Sequence, residues 1–176
     1  MPRSSTKSKS NKFYYVLAAG LIAGTLDAIA AIILNPTIPV AKIFRHIASA
    51  FFGPGAAGSD NTETVLWGIA FHYFIATLFS LMLLELYPKF RLLTKNAVLI
   101  GIMYGFMVWI TMTYAVLPLT NLPKTPEPPH FDKIAALKNI VALIIAVGIP
   151  IAIVSERYFK KKALRSAQRK VKSRGI

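Results

Sequence analysis

Four long apolar segments constrain this chain of 176 residues more than any other feature of its sequence. They lie at about 13–35, 64–87, 96–118 and 134–155. A bilayer has a hydrocarbon core about 30 Å thick, which a helix of roughly 20 residues crosses. Because lipid offers no hydrogen bonds to the backbone, continuous apolar segments of this length must be helices. We therefore predict an all-α fold, in which residues 1–176 form one integral membrane domain built as a four-helix bundle.

The composition agrees with a membrane protein and excludes several other classes. Hydrophobic residues make up 55% of the chain and charged residues only 16%, which lies outside the range of soluble globular domains. The chain has no cysteine, so disulfides, thiolate catalysis and cysteine-based metal sites are excluded. The first apolar segment follows a basic N-terminus, as in a signal peptide, but it is too long and contains Asp27. We expect it to remain as the first span.

The basic residues predict the orientation of the bundle. Most of the 21 Lys and Arg residues lie before residue 13, in the turn at 89–95, and in the tail at 157–176. Short loops rich in Lys and Arg remain in the cytoplasm. Both termini are therefore predicted to be cytoplasmic, and the connections 36–63 and 119–133 are predicted to lie outside.

The same charge pattern bears on the partners of the protein. A net charge of +14 would suggest nucleic acid for a soluble chain, but here the charge alternates with spans, and the tail lacks interleaved aromatic residues for base stacking. We expect no nucleic-acid partner. We expect the tail to bind anionic lipid headgroups, through Arg157, Lys160, Lys161, Lys162 and Arg165.

The first outer connection is too long to be a simple turn. From Val40 to Phe51, apolar residues recur at helical spacing, while Lys42 and Arg45 fall on the other face. This pattern predicts an extra amphipathic helix at the membrane interface, which ends at the Gly53-Pro54-Gly55 stop signal. The second outer loop, 120–130, is rich in proline and is predicted to be extended.

Two pairs of glycines are candidates for close helix packing. Gly20 and Gly24 lie one turn apart in the first span, and Gly101 and Gly105 do so in the third. Such spacing allows backbones to approach closely. Packing within one bundle is the favoured interpretation, and a face for homo-oligomer formation is the alternative.

Asp27 is the strongest candidate for a functional residue. A carboxylate inside a span is costly unless it is paired, hydrated or protonated, so it normally faces the bundle interior. At 1.5 Å per residue, Asp27 lies about 10 Å below the outer end of its span and His72 about 12 Å below the start of the second. We predict that these two residues meet at the centre of a polar cluster. Its other candidate members are Trp109, Thr111, Thr113, Lys138, Asn139, Arg45 and His46.

Two interpretations of the Asp27 and His72 pair remain open. A histidine beside a carboxylate titrates near physiological pH and suits a proton relay or a sensor. The favoured alternative is an interhelical hydrogen bond that stabilises the bundle. Metal or haem ligation is disfavoured because His46 and His72 share no spacing motif, so no metal or cofactor is predicted.

The remaining ionisable residues indicate ordinary ion pairs, and no motif indicates catalysis. Glu85 and Lys89 are spaced i,i+4, as are Glu156 and Lys160, which favours pairing along a helix. No nucleophile elbow, phosphate loop or HExxH motif is present, so we predict that the protein is not an enzyme.

Three stretches resemble a family of small membrane proteins. They are 20–24 in the first span, His72 with the 85–89 span end, and 101–105 leading to Pro118. In these stretches the chain is similar to the uncharacterised, four-span bacterial inner-membrane proteins of the YagU-like type. The resemblance implies a bacterial inner (plasma) membrane location and a link to acid tolerance, and it carries no biochemical activity. Asp27 lies outside the stretches that carry it.

These observations lead to one functional expectation and one alternative. We expect a multi-pass inner-membrane protein of non-enzymatic structural, adaptor or stress-response type. The alternative is a small transporter or proton-linked channel that uses Asp27 and His72. A membrane enzyme acting on lipids is a distant third.

Overall fold

The computed structural model describes residues 6–121 and 132–173, and every regular element within these ranges is helical. Short irregular turns interrupt or extend the helices, as 3-10 helices at Pro54–Ala56 and Leu117–Leu119 and as π-helical turns at Met112–Val116 and Ile144–Gly148. The α-helices are α1 (Thr6–Leu34), α2 (Val40–Phe52), α3 (Thr62–Leu93), α4 (Ala97–Thr111), α5 (Lys133–Leu143) and α6 (Ile149–Ser173).

Four stretches of helix are long and apolar enough to cross a membrane: Lys12–Leu34, Thr62–Leu92, Ala97–Leu119 and Lys133–Val171. Much of their lateral surface consists of exposed Leu, Ile, Val and Phe side chains, which is expected of helices that face lipid. The predicted all-α bundle with four candidate spans is confirmed, and the chain is a multi-pass membrane protein. The additional amphipathic helix predicted between the first two spans is α2.

Side chains that accept hydrogen bonds from backbone amides define the helix starts. Asn61 accepts from the amide of Glu63, Asn96 from those of Val98 and Leu99, and Asp132 from those of Ile134 and Ala135. Each cap satisfies donors that the first turn of a helix leaves without a partner. At the other end of α2, Gly53 has a φ of 90°, a conformation that stops the helix and that glycine adopts without strain.

Two helix ends lie beyond their predicted positions. The second span was predicted to end at Tyr87, but α3 passes through Pro88 and continues to Leu93. A proline removes one backbone hydrogen bond, and the Lys, Arg and Leu residues that follow favour helix. The fourth span was predicted to end at Ser155, but α6 continues without a break to Ser173. The extended outer loop predicted for 120–130 lies almost wholly outside the described residues.

The helices pack as a bundle in which α1 contacts α3 on one side and α6 on another. Helix α4 packs chiefly on α6 and on the π turn Ile144–Gly148, which directly precedes α6. Aromatic and aliphatic residues from all four spans fill the centre, including Leu83, Tyr87, Ile100, Tyr104 and Ile151, each with 0% exposure. The amphipathic helix α2 lies against the first half of α3.

Contacts at the two ends fix how the helices align. At one end, Lys12 of α1 forms an ion pair with Glu85 of α3, and the rings of Tyr15 and Tyr158 lie edge to face with centroids 5.4 Å apart. The beginning of α1 and the basic half of α6 are therefore on the same side of the bundle. At the other end, the Asn121 amide donates to the Phe51 carbonyl over 2.7 Å, which joins the end of the third span to α2.

Candidate functional site

His72 is hydrogen-bonded across the contact between α1 and α3. Its Nε2 lies 2.8 Å from the backbone carbonyl oxygen of Gly24. Because a carbonyl can only accept, the ring must carry its proton on Nε2 when this bond forms. Nδ1 is then the ring nitrogen left for a second partner. The ring also meets Phe44 of α2 edge to face, with centroids 6.1 Å apart.

Asp27 lies one turn beyond Gly24 on α1, and His72 is bonded to the Gly24 carbonyl, so the two residues occupy the same region of the contact between α1 and α3. Both side chains are half-buried. Within the described part of the chain, however, the carboxylate does not share a hydrogen bond with the imidazole, which is bonded to Gly24 instead. The structure thus brings together the two residues that were predicted to meet, and it adds a backbone carbonyl as the partner of His72.

Further polar contacts continue along the same helix pair. The hydroxyl groups of Thr25 and Tyr73 lie 3.0 Å apart and link α1 to α3 directly. Thr77 donates to the carbonyl of Tyr73 over 2.8 Å within α3. The two contacts that join α1 to α3, His72–Gly24 and Thr25–Tyr73, therefore lie at adjacent positions of both helices.

The polar residues of α4 stand apart from Asp27 and His72. Trp109 stacks on Phe106 at 6.0 Å, Thr111 donates to the carbonyl of Met107, and Thr113 lies half-buried in the π turn that follows. The reason is that α4 packs on α6 and on the second π turn rather than on α1. The depth of a residue can be estimated from helical rise, whereas its neighbours depend on which helices pack together.

The other predicted cluster members also have separate positions. Lys138 lines a groove between α1 and α5, and Asn139 is exposed beside it on α5. Arg45 pairs with Asp60 at 3.2 Å, between α2 and the loop after it, and the side chain of His46 is exposed on α2. The polar centre in the spans is therefore smaller than the predicted cluster, and it consists of Asp27, His72 and the contacts beside them.

Both predicted glycine pairs lie at contacts inside the bundle. A Cβ added to Gly20 would lie 2.6 Å from Oγ1 of Thr77 in α3, and one added to Gly24 would lie 2.8 Å from the ring of Tyr73. A Cβ on Gly101 would lie 2.6 Å from the Cα of Ile149, and one on Gly105 would lie 2.5 Å from the Cα of Ile144. Gly24 thus has two roles, since it allows α3 to approach closely and its carbonyl accepts the hydrogen bond of His72.

Three buried hydroxyl groups were not singled out from the sequence. Ser80 and Tyr87 of α3 and Ser155 of α6 are almost fully buried, and within the described residues their oxygen atoms have no hydrogen-bond partner. Nearby, the hydroxyl of Tyr104 donates to the carbonyl of Phe79 over 2.6 Å. The available signal was a serine within the second apolar segment and another at the end of the fourth, but a serine in a helix often bonds to a carbonyl of its own helix.

The charged residues at the basic end show one predicted ion pair and one unpredicted pair. Glu156 and Lys160 pair at 3.0 Å along α6, as their spacing predicted. Glu85 pairs with Lys12 of α1 rather than with Lys89, so the predicted pairing within α3 is wrong. The residues expected to bind lipid headgroups all lie on α6 beyond Glu156, and all of them are exposed. Among them, Lys160 also pairs with Glu156. They are Arg157, Lys160, Lys161, Lys162 and Arg165.

The described residues contain no group of three His, Asp or Glu side chains placed to hold a metal ion. Comparisons with models of known protein families, with curated proteins and with solved structures give no match to this chain.

Proposed function

We propose that this protein is a non-enzymatic structural or adaptor protein of a bacterial inner membrane, in which the bundle anchors a cationic helix at the cytoplasmic surface. The observation that carries the proposal is the unbroken course of α6 from its apolar span to Ser173. We call Arg157–Ser173 the cationic arm; its first turn packs on the bundle through Tyr158 and Phe159, and the rest extends beyond these contacts. Its Lys and Arg side chains are the largest single group of positive charge at the basic end of the molecule.

The length of the cationic arm supports a role beyond setting the orientation of the chain. From Ser155 to Ser173 the helix rises about 27 Å, whereas the headgroup layer on one side of a bilayer is roughly 5–8 Å thick. Arg157 and Lys160–Lys162 are thus placed to contact anionic headgroups, each with a contribution of about 1 kcal/mol. Arg169 and Lys170 extend beyond that layer and are available to an adaptor contact.

Location and orientation are part of the same proposal. The concentration of basic residues at one end of the bundle supports cytoplasmic termini. The resemblance to YagU-like proteins supports the inner membrane and a role in acid tolerance. The polar residues within the spans are hydrogen-bonded to backbone or hydroxyl partners, as in the His72–Gly24 and Thr25–Tyr73 contacts. These bonds support a structural rather than a catalytic use of the polar groups.

The test is a measurement of arm mobility in lipid nanodiscs. Because the chain lacks cysteine, a single Lys162→Cys or Lys170→Cys variant can carry a spin label at one defined position. We expect phosphatidylglycerol to immobilise the label at position 162 relative to phosphatidylcholine, and 1 M NaCl to reverse the effect. The label at position 170 should remain accessible to a water-soluble relaxation agent.

The matched control is Ser59→Cys, which places the label at the opposite end of the bundle. Its spectrum should respond less to the anionic lipid than the spectrum of the label at position 162. Equal spectra at position 162 in both lipids would refute headgroup binding. Burial of the label at position 170 in the headgroup layer would refute the adaptor contact, because the whole arm would then lie on the membrane.

A second candidate function is proton-linked transport, which one observation favours. Asp27 and His72 are two ionisable groups on the packed helices α1 and α3, with Asp27 one turn beyond the carbonyl that His72 binds, and Nδ1 of His72 is the ring nitrogen not bonded to Gly24. If Asp27→Asn abolished a pH-dependent flux in liposomes while folding remained intact, transport would replace the structural role. A loss confined to thermal stability would support the structural role.

A further inference from the structure

A groove opens on the side of the bundle between α1 and α5, at the end opposite the cationic arm. Its volume is about 530 Å³. The walls are Leu26, Ile29 and Ile33 on α1 and Val141 and Ile145 on α5 and the π turn. The groove occurs because α1 and α5 are in only slight contact, whereas the helical segments that follow α5 pack firmly on α1 and α4.

The dimensions of the groove match one leaflet of a bilayer. From Leu26 to Leu34 the helix rises about 12 Å, and half of a hydrocarbon core is about 15 Å thick. The two walls are antiparallel, so Leu34 and Leu137 lie at the surface end and Leu26 and Ala146 lie near the bilayer centre. A cavity with this depth and these apolar walls is suited to one extended acyl chain.

One charged residue distinguishes this groove from an ordinary lipid-facing surface. Lys138 is the only polar residue among its lining residues, and it lies at the surface end. Its position is about 7.5 Å below the start of α5 at Lys133, at a depth where an ammonium group favours an anionic partner. Its aliphatic stem can follow the groove wall while the amine extends toward the headgroups.

We propose that the groove binds one anionic glycerophospholipid of the leaflet opposite the cationic arm, with an acyl chain between α1 and α5 and the phosphate on the Lys138 amine. The proposal does not depend on the role of the cationic arm, because the two features lie at opposite ends of the bundle. Recognition requires both parts, since the apolar walls hold any acyl chain and the amine selects a headgroup with net negative charge.

The first test is a titration with phosphatidylglycerol and phosphatidylcholine in detergent, followed by native mass spectrometry. It uses the full chain with Arg157, Lys160, Lys161, Lys162 and Arg165 replaced by glutamine, so that the cationic arm does not add its own preference for phosphatidylglycerol. We expect the first phosphatidylglycerol to bind more tightly than the first phosphatidylcholine. Lys138→Gln should reduce that preference about fivefold, the effect of one charge near a headgroup. Lys133→Gln is the matched control, because Lys133 is a cation of the same helix that does not line the groove, and it should retain the preference.

A second variant tests the acyl chain separately from the headgroup. Ala142 lines the groove, so Ala142→Phe should fill it and weaken binding of both lipids equally. Leu99→Phe is the control, because Leu99 is 45% exposed on the lipid-facing side of α4. Circular dichroism and size-exclusion chromatography of each variant establish that it is folded.

A photoreactive phosphatidylglycerol, with the reactive group on its acyl chain, gives a readout on the unmodified protein. We expect crosslinks in 26–34 and 137–146, and we expect phosphatidylglycerol to compete better than phosphatidylcholine. Crosslinks spread evenly over the lipid-facing helices would overturn the proposal, as would an unchanged preference in Lys138→Gln.

If Ala142→Phe instead converted a dimer to a monomer, the groove would be an interface between copies of the chain and the lipid site would be refuted.

Discussion

The imidazole of His72 is bonded through Nε2 to the backbone carbonyl of Gly24, across the contact between α1 and α3. At the same position the two helices lie so close that a Cβ added to Gly24 would be 2.8 Å from the ring of Tyr73. The glycine that allows two helices to approach also supplies the acceptor that joins them. A polar residue in the second span therefore depends on a small residue in the first.

We predict that His72→Phe lowers the free energy of unfolding by about 1 kcal/mol, the usual contribution of a hydrogen bond between membrane helices. Phenylalanine keeps the ring but cannot donate to the Gly24 carbonyl. Unfolding in bicelles measures the change. His46→Phe is the control because His46 is exposed on α2, and an equal loss from both substitutions would contradict the importance of the bond.

We expect Gly105→Ala to destabilise the bundle by about 1–3 kcal/mol, the cost of overpacking a close contact. The added Cβ would lie 2.5 Å from the Cα of Ile144, and a backbone atom cannot move aside as a side chain can. Gly55→Ala is the control, since its Cβ would meet nothing within 4 Å. Thermal unfolding of both variants in detergent provides the measurement, and equal melting temperatures would argue against the packing described here.

The Lys12–Glu85 ion pair should show a coupling energy of about 0.5 kcal/mol in a double-mutant cycle with glutamine substitutions. Both side chains are partly exposed, at 34% and 58%, so water screens their attraction. The coupling should decrease in 0.5 M NaCl. The same cycle applied to Glu85 and Lys89 should give a smaller coupling energy. A larger coupling energy for Glu85 and Lys89 would favour the ion pair along α3.

Labelling with a membrane-impermeant maleimide tests the orientation. We predict that Ser59→Cys reacts in intact cells and that Ser166→Cys reacts only after the membrane is opened, because the basic end should face the cytoplasm. Both serines lie outside the apolar parts of the spans. The reverse labelling pattern would show that the orientation is opposite to the predicted one and that the cationic arm lies outside the cell.

The features that could be predicted from the sequence are those with local causes. Apolar length predicted the four spans, and the stop at Gly53 predicted the end of α2. The depths of Asp27 and His72 followed from the fixed rise of a helix. In contrast, the partner of Glu85 depends on how α1 packs on α3, across 73 positions of sequence. The groove beside Lys138 likewise depends on a separation between two helices, which no local pattern encodes.

The continuity of α6 has a mechanical consequence. One helix leaves the apolar span and reaches Ser173 without a glycine, a proline or an irregular turn after Pro150, so no hinge separates the part in lipid from the part in water. A change of about 10° in the tilt of the span would therefore move the far end of the arm by roughly 4 Å, given its length of about 24 Å. The helix would act as a lever that converts changes in bilayer thickness, which alter the tilt of a span, into displacement of charge at the membrane surface.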